Sequence, residues 1–262
     1  MSKLQFEYSM ELTYSEPVTE CHYTLKCLPQ NTDMQQIHEL TIELSPVTDY
    51  QRDSDSFGNL TIYGNYFLPH TRFAVTVKGI AETWLSVSQK DTGSSAVFRH
   101  PYGLSRAGDG IRAYHESLSV PSGSAYDAAM YLMRCLHRDF AYEQGITNME
   151  TSAEQAWTLG KGVCQDYAHI LIALCHLSNI PARYVTGMMV GEGHSHAWVE
   201  ILDHGYWYAL DPTNNCIAAD TYIKIGQGRT AKDCMLNKGI IKGGGSQKQA
   251  VTVSVQHIKE LT

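Results

Sequence analysis

Apolar and polar residues alternate from the first positions of the chain: Leu4, Phe6 and Tyr8, then Leu12 and Tyr14, are set between polar neighbours. A period of two marks a strand with one buried face. Strand-length segments follow in Tyr23-Thr-Leu-Lys-Cys27, Leu40-Thr-Ile-Glu-Leu44, Asn59-Leu-Thr-Ile-Tyr63, Arg72-Phe-Ala-Val-Thr-Val77 and Ala81-Glu-Thr-Trp-Leu-Ser-Val87. Pro29-Gln-Asn, Pro46, Phe57-Gly-Asn and Leu68-Pro-His separate them. Short strands with such punctuation predict an antiparallel β-sandwich over residues 1–120. Loop signals crowd residues 91–125 (Asp91-Thr-Gly-Ser-Ser, Pro101-Tyr-Gly, Gly108-Asp-Gly, Pro121-Ser-Gly-Ser) and set a domain junction near residue 120.

The period then changes. From Tyr126 to Phe140, Ala129, Leu132, Met133, Leu136 and Phe140 share one helical face, with Ser124 as the N-cap. A shorter helix begins at Ser152 and ends at Gly160. Gly162 to Leu177 reads as a strong helix with Ala168, Leu171, Ile172 and Cys175 on its apolar face, stopped by Asn179 and Pro181. A meander follows: Ala182–Gly187, Met188–Val190, His196–Leu202 and Tyr206–Leu210, with turns at Gly191-Glu-Gly193 and Asp203-His-Gly205. A last strand, Gln249–Val255, comes after Gly243-Gly-Gly-Ser246. The predicted class is α+β: an N-terminal antiparallel β-sandwich, then a domain over residues 121–262 in which helices pack on an antiparallel sheet.

Composition removes several functions. In 262 residues, 43% are apolar and 18% charged, the balance of an ordered chain. Twenty Lys and Arg face 27 Asp and Glu, for a net charge of -7 with no basic run, so no nucleic-acid partner is expected. No stretch approaches the roughly 18 apolar residues of a spanning helix, so no membrane partner is expected either. The first residues, MSKLQFEYSMELTYSEP, lack the apolar centre of a secretory leader, which predicts a cytoplasmic chain. The seven cysteines are odd in number and form no CxxC pair, which argues against a disulfide framework or a structural zinc site.

One cysteine stands apart. Cys164 lies two residues after Gly162, at the predicted start of the long helix. The first N–H groups of a helix have no intrahelical acceptor, and the dipole favours negative charge. Such a place favours a thiolate and offers donors to an oxyanion. Gly162 is expected to let the chain turn sharply into the helix. A nucleophilic cysteine needs a base, and the base needs an orienting group. His196 opens a strand 32 residues later, and Asp211 closes the next strand 15 residues after that. The tight turn at Asp203-His-Gly205 makes those strands antiparallel neighbours, bringing the start of one beside the end of the other. Cys164, His196 and Asp211 are therefore the expected catalytic triad.

Plainer readings stand beside this one. Cys164 alone would read as a buried helical cysteine, like Cys175. His194 and His196 form an H-x-H pair, but a metal would need a third ligand, for which only Cys164 offers itself; no metal and no cofactor are expected. Asp166 reads first as a partner of the helix dipole, and second as a residue that holds substrate or a nearby loop. Gln165 is a lesser candidate at the oxyanion, and His194 reads as a loop residue at the substrate rim. Trp198 shares the strand face of His196, as cleft wall or as core. Tyr167 and Trp157 read as core.

GVCQDYAH, HAWVE and LDPTNN resemble the three signature blocks of the bacterial transglutaminase-like superfamily. The resemblance implies a papain-like core with a Cys-His-Asp triad, mapped here to Cys164, His196 and Asp211. Tyr14-Ser-Glu-Pro-Val and Phe57-Gly-Asn resemble the family's N-terminal β-domain, and Tyr222-Ile-Lys-Ile-Gly-Gln-Gly-Arg and Gly243-Gly-Gly its C-terminal extension. Relatives often read Gly-Arg-Asp-Tyr-x-Asp-Val-Pro-Pro after the triad, where this chain has Gly228-Arg-Thr-Ala-Lys-Asp-Cys-Met-Leu. The aromatic and the prolines are absent, so a different substrate preference is expected if that segment lines the cleft. The implied activity is hydrolysis of a peptide or amide bond through a thioester acyl-enzyme, on a peptide, protein or small amide substrate. The same thioester given to an amine makes a transglutaminase or acyltransferase. No D-x-D-x-D-G calcium loop is present to support a calcium-activated cross-linker. A non-catalytic protein- or peptide-binding module on the same fold is the third reading, against which the intact triad letters speak.

Overall fold

The N-terminal alternation runs further than the local punctuation suggests. The computed structural model describes residues 1–84, 88–93 and 95–258, and in it β1 (Ser2–Leu25) is one strand of 24 residues. β2 (Gln35–Ser45), β3 (Tyr50–Ser54), β4 (Leu60–Tyr66), β5 (His70–Thr83) and β6 (Ser88–Lys90) follow. Residues 85–87 of the expected strand 81–87 lie outside the described residues. The helices are α1 (Asp109–Ser117), α2 (Ala125–Asp139), α3 (Ala153–Leu159) and α4 (Cys164–Leu177). Short β7 (Ala141–Tyr142) and β8 (Lys161–Gly162) pair in parallel between them. Then come β9 (Ala182–Met189), β10 (Gly191–Gly193), β11 (His196–Asp203), β12 (Tyr206–Asp211), β13 (Cys216–Ile217), β14 (Tyr222–Gly228), β15 (Asn237–Gly243) and β16 (Gln247–His257).

β1 organises the first sheet. Its pairing with β5 shifts register between Thr13 and Val18, where Pro17 has no N–H for a ladder. The first half pairs with β5 and β16, and the second with β4 and β15. β2, β3 and β10 complete an eight-stranded antiparallel sheet. Its two halves share one core: the Tyr23 and Phe73 rings, one from each half, lie 4.9 Å apart. The C-terminal strands β15 and β16, which the sequence reading grouped with residues 121–262, hydrogen-bond to β1 and belong to this N-terminal sheet.

The second sheet has the order β13-β12-β11-β9-β14, with β6 against β12. Alternation along β11 sends Ala197, Val199 and Ile201 into the core beneath the helices and Trp198 to the opposite face. Ala129 and Leu132 of α2 and Leu171 and Ile172 of α4 meet that core with no exposure. Each such Leu or Ile contributes about 1.5–3 kcal/mol by leaving water. On the other side Met188, Ile223 and Ile225 join the core of the first sheet, so the two parts share a packed boundary.

Helix α1 falls where the sequence reading put loop, before the junction near residue 120, and buries Ile111 in the helical core. Its start is capped from a distance. The carboxylate of Glu154, on α3, accepts the N–H groups of Gly108 (2.9 Å), Gly110 (2.7 Å) and Ile111 (3.2 Å). A Cβ on Gly108 would lie 2.5 Å from that side chain, so glycine here makes room for the cap.

Candidate active site

Cys164 is the first residue of α4 and is half-buried. The residue before it, Val163, is the N-cap, and its side chain makes no capping hydrogen bond. Valine is a poor N-cap. Asp166 compensates by reaching back to accept the Val163 N–H at 2.8 Å. The amides of Cys164 and Gln165 are left with no intrahelical acceptor and no capping side chain.

Gly162 serves a purpose other than a sharp turn. It is not among the glycines with positive φ, and a Cβ there would stand 2.4 Å from Asp166 Oδ2. The glycine clears space for a buried carboxylate. Gly162→Ala should therefore lower stability by about 1–3 kcal/mol through overpacking, read as a fall in thermal midpoint. A melting curve that matches the parent would show that Asp166 moves freely.

Asp166 ties down the loop beside the site. Its Oδ2 also accepts from Thr147 Oγ1 at 2.6 Å, and Gln165 Nε2 donates to Asn148 O at 3.2 Å. Burial raises the Asp166 pKa, against the hydrogen bonds from Thr147 and Val163. Holding a nearby loop, one expectation for Asp166, is what its contacts do, and Gln165, expected as a candidate at the oxyanion, turns its side-chain amide to the same loop.

His196 begins β11 and Asp211 ends β12. The ladder between these strands runs from Val199 opposite Leu210 to Asp203 opposite Tyr206. Past its open end, His196 Nε2 lies 2.7 Å from Asp211 Oδ2. Cys164 and His196 line the same cleft, and Nδ1 is the ring nitrogen that Asp211 does not engage. Burial works against a charged ring, yet the hydrogen bond to Asp211 and the neighbouring Cys164 raise the His196 pKa from 6.5 to about 10. The three residues drawn from distant points of the sequence thus meet in one place.

Asp211 is fully buried and fully partnered. Besides His196, its Oδ2 accepts from Tyr222 OH (2.8 Å) and Asn214 Nδ2 (2.8 Å), and its Oδ1 accepts the N–H groups of Thr213 (2.9 Å) and Asn214 (3.1 Å). Burial raises its pKa, but the His196, Tyr222 and Asn214 contacts outweigh this and leave it below 3.8. Five donors fix the carboxylate, and so the imidazole plane. Trp198 lies behind that imidazole with ring centres 6.4 Å apart, and packs edge-on against Tyr222 at 5.5 Å. It is 2% exposed, and its place is the core behind the ring. His194 is exposed in the bend between β10 and β11 and is not among the cleft-lining residues.

The cleft around Cys164 and His196 has a volume of about 270 Å³. One wall is Tyr8 and Val251 from the first sheet. Another is the segment that departs from the family pattern, through Ala231, Cys234, Met235 and Leu236. That segment is anchored from α4: buried His169 accepts the Ala231 N–H on Nε2 at 3.0 Å, and burial lowers its pKa to about 3, keeping the ring neutral. Arg229 and Asp233 form the ion pair that brackets its start, with Arg229 stacked 3.5 Å from the Tyr102 ring centre. Among the described residues, no group of three or more His, Cys, Asp or Glu is arranged to hold a metal ion.

Sequence reasoning missed Tyr222, Asn214, Thr147 and His169 as supports of the site. Asn214 and His169 sit inside the quoted blocks LDPTNN and GVCQDYAH, and His169 is a lone polar side chain within an apolar helical run. Tyr222 opens the block that resembles the C-terminal extension, and nothing in that block places it beside Asp211, which it reaches from β14.

Comparison with known proteins agrees with this architecture. Residues 112–212 match the family model described as Transglutaminase-like superfamily, and residues 4–82 match the Bacterial transglutaminase-like N-terminal region. An uncharacterized protein of Mycobacterium leprae is 27% identical over 280 residues, covering 98% of this chain and 100% of that protein. One of Mycobacterium tuberculosis is 27% identical over 285 residues, covering 94% and 89%. A crystal structure described as a putative cysteine protease from Cytophaga hutchinsonii has the same fold, with a TM-score of 0.81 at 20% identity over 99% of this chain and 92% of that one. The chain belongs to the transglutaminase-like superfamily, with a bacterial transglutaminase-like N-terminal region ahead of its core.

Proposed function

We propose that the protein is a cysteine-dependent hydrolase that cleaves a peptide or amide bond, with Cys164 as nucleophile, His196 as acid and base, and Asp211 as the group that orients the ring. The observation that carries this reading is His196, which lines one cleft with Cys164 and lies 2.7 Å from a fully buried carboxylate. A ring with a pKa of about 10 is protonated at neutral pH and holds the proton that a leaving amine needs.

In the reaction, Sγ attacks the substrate carbonyl carbon. The oxyanion takes the N–H groups of Cys164 and Gln165 at the helix tip. The C–N bond breaks as His196 gives its proton to the leaving amine, and a thioester remains on Cys164. Water then attacks the thioester, His196 takes a proton from it, and the acid leaves with the C–S bond broken.

Alkylation provides the first test. Five of the seven cysteines are buried; only Cys164 and Cys216 are partly exposed, and burial raises the Cys216 pKa. Iodoacetamide at neutral pH should therefore modify Cys164 well ahead of the other six, and His196→Ala should remove that preference. Uniform slow labelling, indifferent to His196, would leave a binding module in place of an enzyme. Ammonia release from a glutamine peptide, with and without a primary amine, then separates hydrolysis from acyl transfer: product that incorporates the amine would replace the hydrolase by an acyltransferase.

A further inference from the structure

The cleft at Cys164 does not end at the triad. Met149, Met235, Leu236, Asn237 and Gln249 line it, and the same five residues line a second chamber of about 390 Å³ that opens into the first sheet. The floor of that chamber is apolar, made by Met10, Leu12, Phe73 and Leu25, whereas its rim carries Gln247 and Gln249. The rim lies between two strands with open edges. β10 covers β16 only at Val253–Val255, so Gln247–Thr252 has β1 on one side and no strand on the other among the described residues. Among the described residues β15 likewise pairs with β1 alone. One side-chain contact, Gln249 Nε2 to Asn237 Oδ1 at 3.3 Å, crosses between them.

Apolar floor, amide rim and unpaired backbone edges suit one kind of guest. An extended peptide uses edge N–H and C=O groups for its main chain and pockets for its side chains. From Val251, in the cleft wall, to Gln247, in the chamber wall, β16 advances four residues, roughly 13 Å at about 3.3 Å per residue. That is the reach of about four residues of extended peptide.

We propose that this chamber is the specificity site for an extended, apolar segment of the peptide substrate, about four residues long, whose reacting carbonyl sits at Cys164. The proposal rests on Cys164 being the nucleophile. The residues that set the preference are Met235 and Leu236, which stand where relatives often carry the closing Pro-Pro of their motif, together with Met149 of the loop tied down by Asp166.

The test uses the full chain and iodoacetyl tetrapeptides that alkylate Cys164, one with a Leu/Phe tail and one with a Ser/Gln tail. Each rate is divided by that of iodoacetamide on the same variant, which removes the intrinsic reactivity of the thiol. The apolar tail should label Cys164 at least tenfold faster than the polar tail. Met235→Glu and Met149→Glu should each cut that ratio at least fivefold, and Met235→Leu should keep it; Met149 is exposed, so its substitution leaves folding intact. Equal rates for the two tails on the parent protein, or a ratio that both Glu variants leave unchanged, would overturn the proposal while Cys164 still reacts with iodoacetamide. Failure of iodoacetamide itself to prefer Cys164 would instead remove the nucleophile reading, and the proposal with it.

Discussion

Replacing His196 with alanine should lower turnover of an amide substrate by about 10²–10⁴-fold, the usual weight of a positioned acid-base group. Circular dichroism should be unchanged, because the ring sits at the edge of β11 and the strand pairing does not depend on it. Two properties of the parent protein should disappear with the ring. The first is a plateau in acylation rate across neutral pH, ending as pH rises through about 10, where the imidazolium loses the proton it gives to the leaving amine. The second is a share of folding stability. The ring's pKa is raised on folding from 6.5 to about 10, so its stabilising contribution is complete below about pH 6.5 and is lost as pH rises toward 10. The parent should therefore lose more thermal stability than His196→Ala between pH 6 and pH 10. Activity of the variant within a few-fold of the parent would sink the assignment; partial rescue by added imidazole would support it.

What the sequence disclosed about this site follows from how local each cause is. Ser124 caps α2 by accepting the Asp127 N–H, and Gly160 ends α3 in the left-handed region at φ 69, both as short-range rules anticipate. The meeting of His196 with Asp211 was also readable, because a tight turn fixes the strand register around it. The place of Cys164 at the start of α4 was legible because a helix N-terminus is a local object, even with a valine in the N-cap position before it. Contacts across the fold were not legible. Glu154 nucleates α1 from another helix, so Gly108-Asp-Gly read as loop. β1 continues through Pro17 because different partners take its two halves, which no window along the chain reveals. Tyr222 braces Asp211 from β14, and β16 returns some 230 residues later to pair with β1. In each case the signal lies in tertiary pairing, and periodicity carries none of it.

Glu200→Ala should cost about 3–5 kcal/mol, the price of leaving opposite charges buried without their partner. Glu200 lies in the middle of the second sheet, opposite Arg183 on β9. Its Oε2 accepts from Arg183 Nε at 2.6 Å and from Lys224 Nζ at 2.7 Å, and Arg183 and Glu200 are 2% and 6% exposed. Burial raises the Glu200 pKa, but the two cations more than offset this and keep it below 4.5. Arg183 is further fixed over the Trp207 ring, 4.0 Å from its centre. Without the carboxylate, two cations face each other in a layer that water does not reach, and neither has another acid to turn to among its described ion pairs. For a chain of this size about 2–4 °C of midpoint accompanies each kcal/mol, so the variant should melt roughly 6–20 °C lower. Removing all three charges together, with Met at 183 and 224 and Leu at 200, should restore most of that loss, since a buried ion cluster exchanged for packed apolar groups is often neutral or stabilising. The contrast between single and triple variants separates the cost of an orphaned charge from any net worth of the cluster. A single variant that melts within 2 °C of the parent would mean that solvent enters the sheet there and screens the pair.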